Sequence, residues 1–129
     1  MAITSDFVRG IFKGLETGDC AAFFEHVADD IDWTVMGTRR PAGHYLSKTE
    51  FKKGTFAKLG KVLPQGSQLV VNHLIVNGDK AAVKLHSLAT ARNGMRFDNY
   101  YCSTPYFRND LIVRVRAHLG SAMVARLFE

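Results

Sequence analysis

Hydrophobic and polar residues alternate over four successive stretches in the second half of the chain: Leu69–Val76, Lys80–Ala91, Met95–Arg108 and Leu111–Leu119. A period of two puts neighbouring side chains on opposite faces of a strand, so each stretch is expected to be one. Turn formers separate them: Asn77-Gly78, Arg92-Asn93-Gly94 and Asn109-Asp110. Asn-Gly between alternating runs signals a hairpin, because a type I′ turn needs positive φ at both central residues. The four stretches therefore read as an antiparallel meander. On the third, Met95, Phe97, Asn99, Tyr101, Ser103 and Phe107 share one face; Arg96, Asp98, Tyr100, Cys102, Thr104 and Tyr106 share the other. Neither face is cleanly polar, which is expected of a sheet covered by helices on one side and a partner on the other. Pro105 cannot donate to a ladder and predicts a bulge or a break.

The first half has the helical period. Thr4 or Ser5 can cap a helix carrying Phe7, Ile11 and Leu15 on one face with Phe12 beside them, and Gly18 is suited to end it. A shorter helix is expected from Asp19, carrying Ala22, Phe23 and Val27 and closing at Asp29-Asp30. Ile31–Met36 reads as a short strand with Ile31, Trp33 and Val35 on one face. Gly37–Tyr45 reads as a loop. Ser47-Lys48-Thr49-Glu50 is a capping box, opening a helix to about Leu59 anchored by Phe51 and Phe56. Gly60–Gly66 is expected to link it to the meander, and Ser121–Phe128 to form a short terminal helix. Helix, helix, strand, helix, then four strands is an α+β order, with the helices on one side of an antiparallel sheet.

Composition changes this picture little. The 129 residues suit one domain over 1–129, and 47% are hydrophobic, enough for a core without staples. No basic-then-apolar leader opens the chain and no run of some twenty apolar residues occurs, so neither a signal peptide nor a membrane span is expected. Cys20 and Cys102 fall in different elements and read as free thiols, which points to a cytoplasmic setting. The net charge of +5 is scattered. Its densest part, Lys48, Lys52, Lys53, Lys58 and Lys61, suits a solvated helix face, so no nucleic-acid or membrane partner is expected. No metal spacing, phosphate loop or repeat is present.

Three segments carry a resemblance. Asp32-Trp33-Thr34-Val35-Met36-Gly37 with Ala42-Gly43 resembles the first strand and loop of SnoaL-like proteins, in the nuclear transport factor two-like superfamily. Asn99-Tyr100 followed by Tyr106-Phe107-Arg108-Asn109-Asp110-Leu111-Ile112 resembles that family's Asn-containing strand, aromatic run and tight turn. Arg116–Leu127 resembles its closing strand and tail. The resemblance covers nearly the whole chain in element order. It implies a cystatin-like roll: a cone-shaped, curved antiparallel sheet packed on N-terminal helices, an apolar pocket inside, and a homodimer, commonly through the outer face of the sheet. Relatives include polyketide cyclases, ketosteroid isomerase, limonene-epoxide hydrolase and dehydratases, so the fold does not give the function.

The departures narrow the chemistry. SnoaL-like proteins usually end the closing strand with aromatic-x-Asp; here those positions are His118 and Gly120. The hydrolase Arg and second Asp fall on Lys84 and His86, so epoxide hydrolysis is rejected. The isomerase base falls on Thr34 and its acidic donor near Cys102–Thr104, with no carboxyl group at either, so that assignment is rejected too. What is left is a polar set on apolar strands. His86 is the candidate base for proton abstraction α to a carbonyl, and Lys84 the candidate stabiliser of the enolate. Trp33, Asn99, Tyr101 and His118 are candidate ligand contacts. The expected ligand is a small apolar or aromatic compound. The expected chemistry, if any, is isomerase, cyclase or dehydratase chemistry with no cofactor and no metal; the rival is a non-catalytic ligand-binding or protein-interaction module. Core packing accounts equally well for Trp33, and a satisfied or interface histidine for His86 and His118.

Overall fold

A computed structural model describes residues 3–17, 20–36, 42–55, 57, 68–90, 94 and 96–119. Three helices, α1 (Ser5–Thr17), α2 (Cys20–Phe24) and α3 (Lys48–Gly54), accompany six strands. These are β1 (Val27–Val35), β2 (Gly43–Tyr45), β3 (Leu69–Asn77), β4 (Lys80–Thr90), β5 (Arg96–Arg108) and β6 (Leu111–Leu119). They form one curved, open sheet in the order β2-β1-β6-β5-β4-β3.

The meander stands as the alternation predicted, within a residue or two at each strand end. At Asn109-Asp110 both residues have positive φ, 52° and 65°, as a type I′ turn requires; at Asn77-Gly78 only Gly78 does, at 67°, because Asn77 is still in β3, paired with Lys80. All of these lie in the left-handed region that Gly, Asn and Asp tolerate best. Pro105 does not break β5. It is fully buried and pairs in register with Val115; the shift falls one step beyond it, between Tyr106 and Phe107. A second bulge between Val71 and His73 bends β3, and the Val71 N–H bonds the Glu16 carboxylate at 3.0 Å. Bulges of this kind let a sheet curl around its helices.

Three expectations in the first half need correction. Val27 to Asp30 are strand, not helix: β1 starts at Val27, opposite Ile112, and the Ile112 N–H bonds the His26 carbonyl at 2.8 Å. Gly43–Tyr45 is not loop but an edge strand antiparallel to β1. The sheet is mixed, because β1 runs parallel to β6. Alternation cannot reveal strand direction, which is set by the path of the connecting chain. The second half of the α3 helix, and the terminal helix expected over 121–128, lie outside the described residues apart from residue 57.

α1 is capped by Thr4, whose Oγ1 accepts the Phe7 N–H at 3.1 Å, and buries Val8, Ile11, Phe12 and Leu15. α3 is capped by Ser47, whose Oγ accepts the Glu50 N–H at 3.0 Å, and buries Phe51. The core lies between these helices and one face of the sheet. That face shows Ile31, Trp33 and Val35 from β1, Ala81, Val83 and Leu85 from β4, and Val115 and Ala117 from β6. From here this is the concave face, and the opposite one the outer face.

Candidate functional site

Register decides which candidate residues meet. On β4, Ala81, Val83, Leu85 and Ser87 are buried, while Lys84 is exposed and His86 half-buried. Ser87 pairs with Asn99, Leu85 with Tyr101 and Val83 with Ser103. Asn99, Tyr101 and Ser103 therefore share the concave face with Ser87. Trp33 lies on it too, paired through Val115 to Pro105. Lys84, His86 and His118 are not on this face, although Lys84 and His118 meet Tyr101 at the rim of one depression. By the same alternation they lie on the outer face, with Asp98, Tyr100 and Cys102.

The polar groups of the concave face are uncharged. Asn99 is 4% exposed and Ser87 fully buried. The Asn99 Oδ1 accepts the Tyr100 N–H at 3.1 Å, which leaves its amide nitrogen to donate to the Tyr101 phenol. Burial pushes the Tyr101 phenol up to about 12, and the Asn99 hydrogen bond opposes that only in part. Tyr101 is thus a neutral donor at physiological pH, suited to a carbonyl or hydroxyl oxygen and unsuited to act as a base. Among the described residues of this face of the sheet, from Ile31 onward, there is no Asp, Glu, His, Lys or Arg.

That raised pKa has a measurable consequence. An unfolded tyrosine ionises near pH ~10. Folding keeps Tyr101 protonated, so its contribution is whole below that pH and is lost as pH rises through the folded value of about 12. Urea unfolding across that alkaline range should show a fall in stability of roughly 2–3 kcal/mol for the wild type that Tyr101→Phe lacks. Parallel curves for the two proteins would place the phenol in water.

Near β2 the face is aromatic. Trp33 stacks on Phe51 with ring centroids 3.9 Å apart and planes 19° apart. Phe23 meets Trp33 edge-on at 6.4 Å, and Tyr45, paired with Trp33 across the strands, meets Phe51 edge-on at 5.4 Å. The Trp33 Nε1–H is buried and has no hydrogen-bond partner. Leaving such a donor unsatisfied costs about 1–3 kcal/mol, so it is a feature to explain. Trp33 and Tyr101 are two strands apart across the sheet and four residues apart along it, roughly 17 Å between backbones by strand spacing and rise.

The outer face holds the ionisable groups. His86 Nε2 lies 2.5 Å from Asp98 Oδ1, and the His86 ring stacks on Tyr100 at 4.3 Å, 4° from parallel. Lys84 and His118 are each paired with Cys102, one from either side, and line an open depression of about 400 Å³ that Leu85, Tyr101 and Leu119 also reach. Asp32, on β1, bonds His44 at 2.6 Å and Arg116 at 3.1 Å. The His44 hydrogen bond chiefly holds Asp32 below the usual carboxylate range; partial burial opposes it, and the Arg116 bond and charge add to it. The sequence does not join Asp32 and His44, because Gly43–Tyr45 does not read as a strand.

A depressed carboxylate stabilises the fold above its unfolded pKa of about 4 and loses that contribution as pH falls through the folded value. The side chain is 34% exposed, so the effect is screened to under about 1 kcal/mol. Asp32→Asn should flatten the acid limb of the stability curve below about pH 4 and should reduce stability at neutral pH. Equal acid limbs would show that the cluster is solvated. No group of three or more metal-ligating side chains occurs among the described residues, and none of their helices is long and apolar enough to cross a membrane.

The chain is matched by the model of the SnoaL-like domain over residues 8–115. None of the curated proteins matches its sequence significantly. Among solved structures it is similar to Bal32a from a soil-derived mobile gene cassette, at 20% identity and a TM-score of 0.81, covering 97% of this chain and 95% of that one. It is similar to a nuclear transport factor two-like protein from Burkholderia thailandensis, at 23% identity and a TM-score of 0.81, over 96% and 95% of the two chains. It is also similar to TerC, solved with polyporic acid, at 18% identity and a TM-score of 0.76, over 95% of each chain. Identities this low carry the fold and no more. With the family model spanning most of its length and the six-stranded roll in place, the chain belongs to the SnoaL-like domain family.

Proposed function

We propose that the protein binds a small uncharged aromatic or carbonyl compound on the concave face of its sheet. The observation that supports this is the Asn99–Tyr101 pair beside Ser87: neutral hydrogen-bonding groups, Asn99 and Ser87 buried and Tyr101 half-buried, on a largely apolar wall. A few placed polar groups on an apolar lining are what small-molecule sites use to orient a ligand. TerC, of the same fold, was crystallised with polyporic acid, which is in keeping with small-molecule binding on this fold, though an acid gives no support to the uncharged class.

Binding is favoured over the isomerase, cyclase or dehydratase alternatives. Those reactions need a base at the substrate, and His86, the candidate for that role, lies across the sheet from Asn99 and Tyr101. A compound on the concave face is out of its reach. The homodimer implied by the resemblance stays part of the proposal and rests on Val70, Ile75 and Tyr100, which are 49%, 60% and 63% exposed on the outer face. A monomer mass by light scattering would remove it.

The test is thermal denaturation with matched aromatic probes: 2-acetylnaphthalene, 2-naphthoate and 2-naphthylmethylamine. The neutral ketone should raise the melting temperature, and the two ions should not, since a charge on this face has no partner. Equal stabilisation by the carboxylate would contradict the reading.

A further inference from the structure

The unpartnered Trp33 indole sets a requirement on the ligand that the Asn99–Tyr101 pair does not. Trp33 is 7% exposed, and its ring is fixed on three sides: stacked on Phe51, met edge-on by Phe23, and held by β1 in register with Val115. Its Nε1–H has no acceptor, although it lies on the sheet face where Ser87, Asn99 and Tyr101 have partners. Indole nitrogen is a donor only, so what would satisfy it is an acceptor. The described part of the concave face offers no carboxylate to supply one.

We propose that Trp33 is a specificity-determining donor: its Nε1–H takes an acceptor oxygen of the bound compound, so the ligand is a neutral aromatic carrying a carbonyl or ether oxygen, not a plain hydrocarbon. This rests on the concave face being the binding surface. The acceptor approaches as Tyr45 yields. That side chain is half-buried, lies across from Trp33, and belongs to a three-residue strand at the edge of the sheet, where the fewest backbone bonds resist movement.

Two probes of nearly one shape isolate the acceptor: 2-acetylnaphthalene and 2-ethylnaphthalene. Wild-type protein should bind the ketone about tenfold more tightly than the hydrocarbon, the worth of one hydrogen bond to a buried donor. Trp33→Phe keeps an aromatic ring and loses the donor, so the preference should fall to near unity while hydrocarbon binding persists. A second readout needs no variant. Trp33 is the sole tryptophan, so the ¹⁵N-labelled protein has one indole N–H resonance. It should move downfield with the ketone and not with the hydrocarbon. Equal affinities for the two probes, or an indole resonance that responds alike to both, would overturn the role of Trp33 and leave the binding surface standing. Failure of both probes to bind the wild type would overturn both.

Discussion

Replacing Phe23 by alanine should cost about 3–5 kcal/mol of folding stability, the usual range for a buried phenylalanine. Phe23 is 1% exposed and its ring touches Phe12 at 5.2 Å, Phe24 at 5.1 Å and Trp33 at 6.4 Å. It thus joins α1, its own helix α2 and strand β1. α2 has five residues, far too few to be helical on its own account, so packing through Phe23 and Phe24 is what holds it. Lys48 helps by donating to the Phe24 carbonyl at 2.9 Å, but a single bond to an orphan carbonyl is worth about a third of the packing or less. A loss of this size is a large part of the ~5–15 kcal/mol that holds a typical domain. Urea unfolding followed by Trp33 fluorescence measures it. A loss under about 1 kcal/mol would mean that α2 is not part of the cooperative core.

Asn99→Leu should be the most damaging single change to binding, with a smaller loss of stability. Leucine is close to asparagine in size, so the change removes hydrogen bonds without opening a cavity. It leaves the Tyr100 N–H without the Asn99 Oδ1 and the Tyr101 phenol without its donor. Unsatisfied buried polar groups cost about 1–3 kcal/mol, which sets the expected loss of stability. Binding of 2,6-diacetylnaphthalene, whose second oxygen can reach Tyr101 while the first meets Trp33, should weaken by about tenfold, because Tyr101 is then free to turn away from the ligand. Calorimetric titration of the variant, checked for folding by circular dichroism, gives both numbers. Unchanged affinity would remove Asn99 from the site. Asn99→Asp should be worse than leucine near neutral pH, since it puts a charge on a face that has no countercharge among the described residues.

The sequence showed much of the fold because the meander carries its own instructions. Alternation sets the strands, Asn-Gly and Asn-Asp set the turns, and the four elements from Leu69 to Leu119 follow with ends off by a residue or two. Those cues fail in the first half for physical reasons. Gly43–Tyr45 is three residues long, too short for a period to show. Val27–Asp30 has no alternation, since a bulge between Val27 and Asp32 resets its register against β6. The parallel pairing of β1 with β6 joins segments far apart in sequence, and no local signal encodes it.

Part of the candidate site was legible. Asn99 and Tyr101 stood out as an asparagine and a tyrosine on one face of a long strand; Ser87, across the hairpin from Asn99, carried no signal of its own. His86 and Lys84 were grouped with them as polar residues on apolar strands. The alternation Ala81, Val83, Leu85 had already assigned the core face of β4 to the odd positions, which sends Lys84 and His86 to the other side. Asp98, the partner of His86, points away from Asn99 by the same rule. The unpartnered indole of Trp33 had no signal at all, because whether a donor finds an acceptor depends on the packing of α3 and β2 around it.

The central claim is that the concave face, with its neutral polar groups, is where this protein holds a small molecule. A crystal structure of the complex with 2-acetylnaphthalene tests it most directly. The naphthalene should lie against the concave face, in contact with Trp33 or with both Asn99 and Tyr101, with the ketone oxygen at hydrogen-bond distance from Trp33 Nε1 or the Tyr101 hydroxyl. The ketone seated instead in the outer depression beside Lys84, Cys102 and His118 would contradict it.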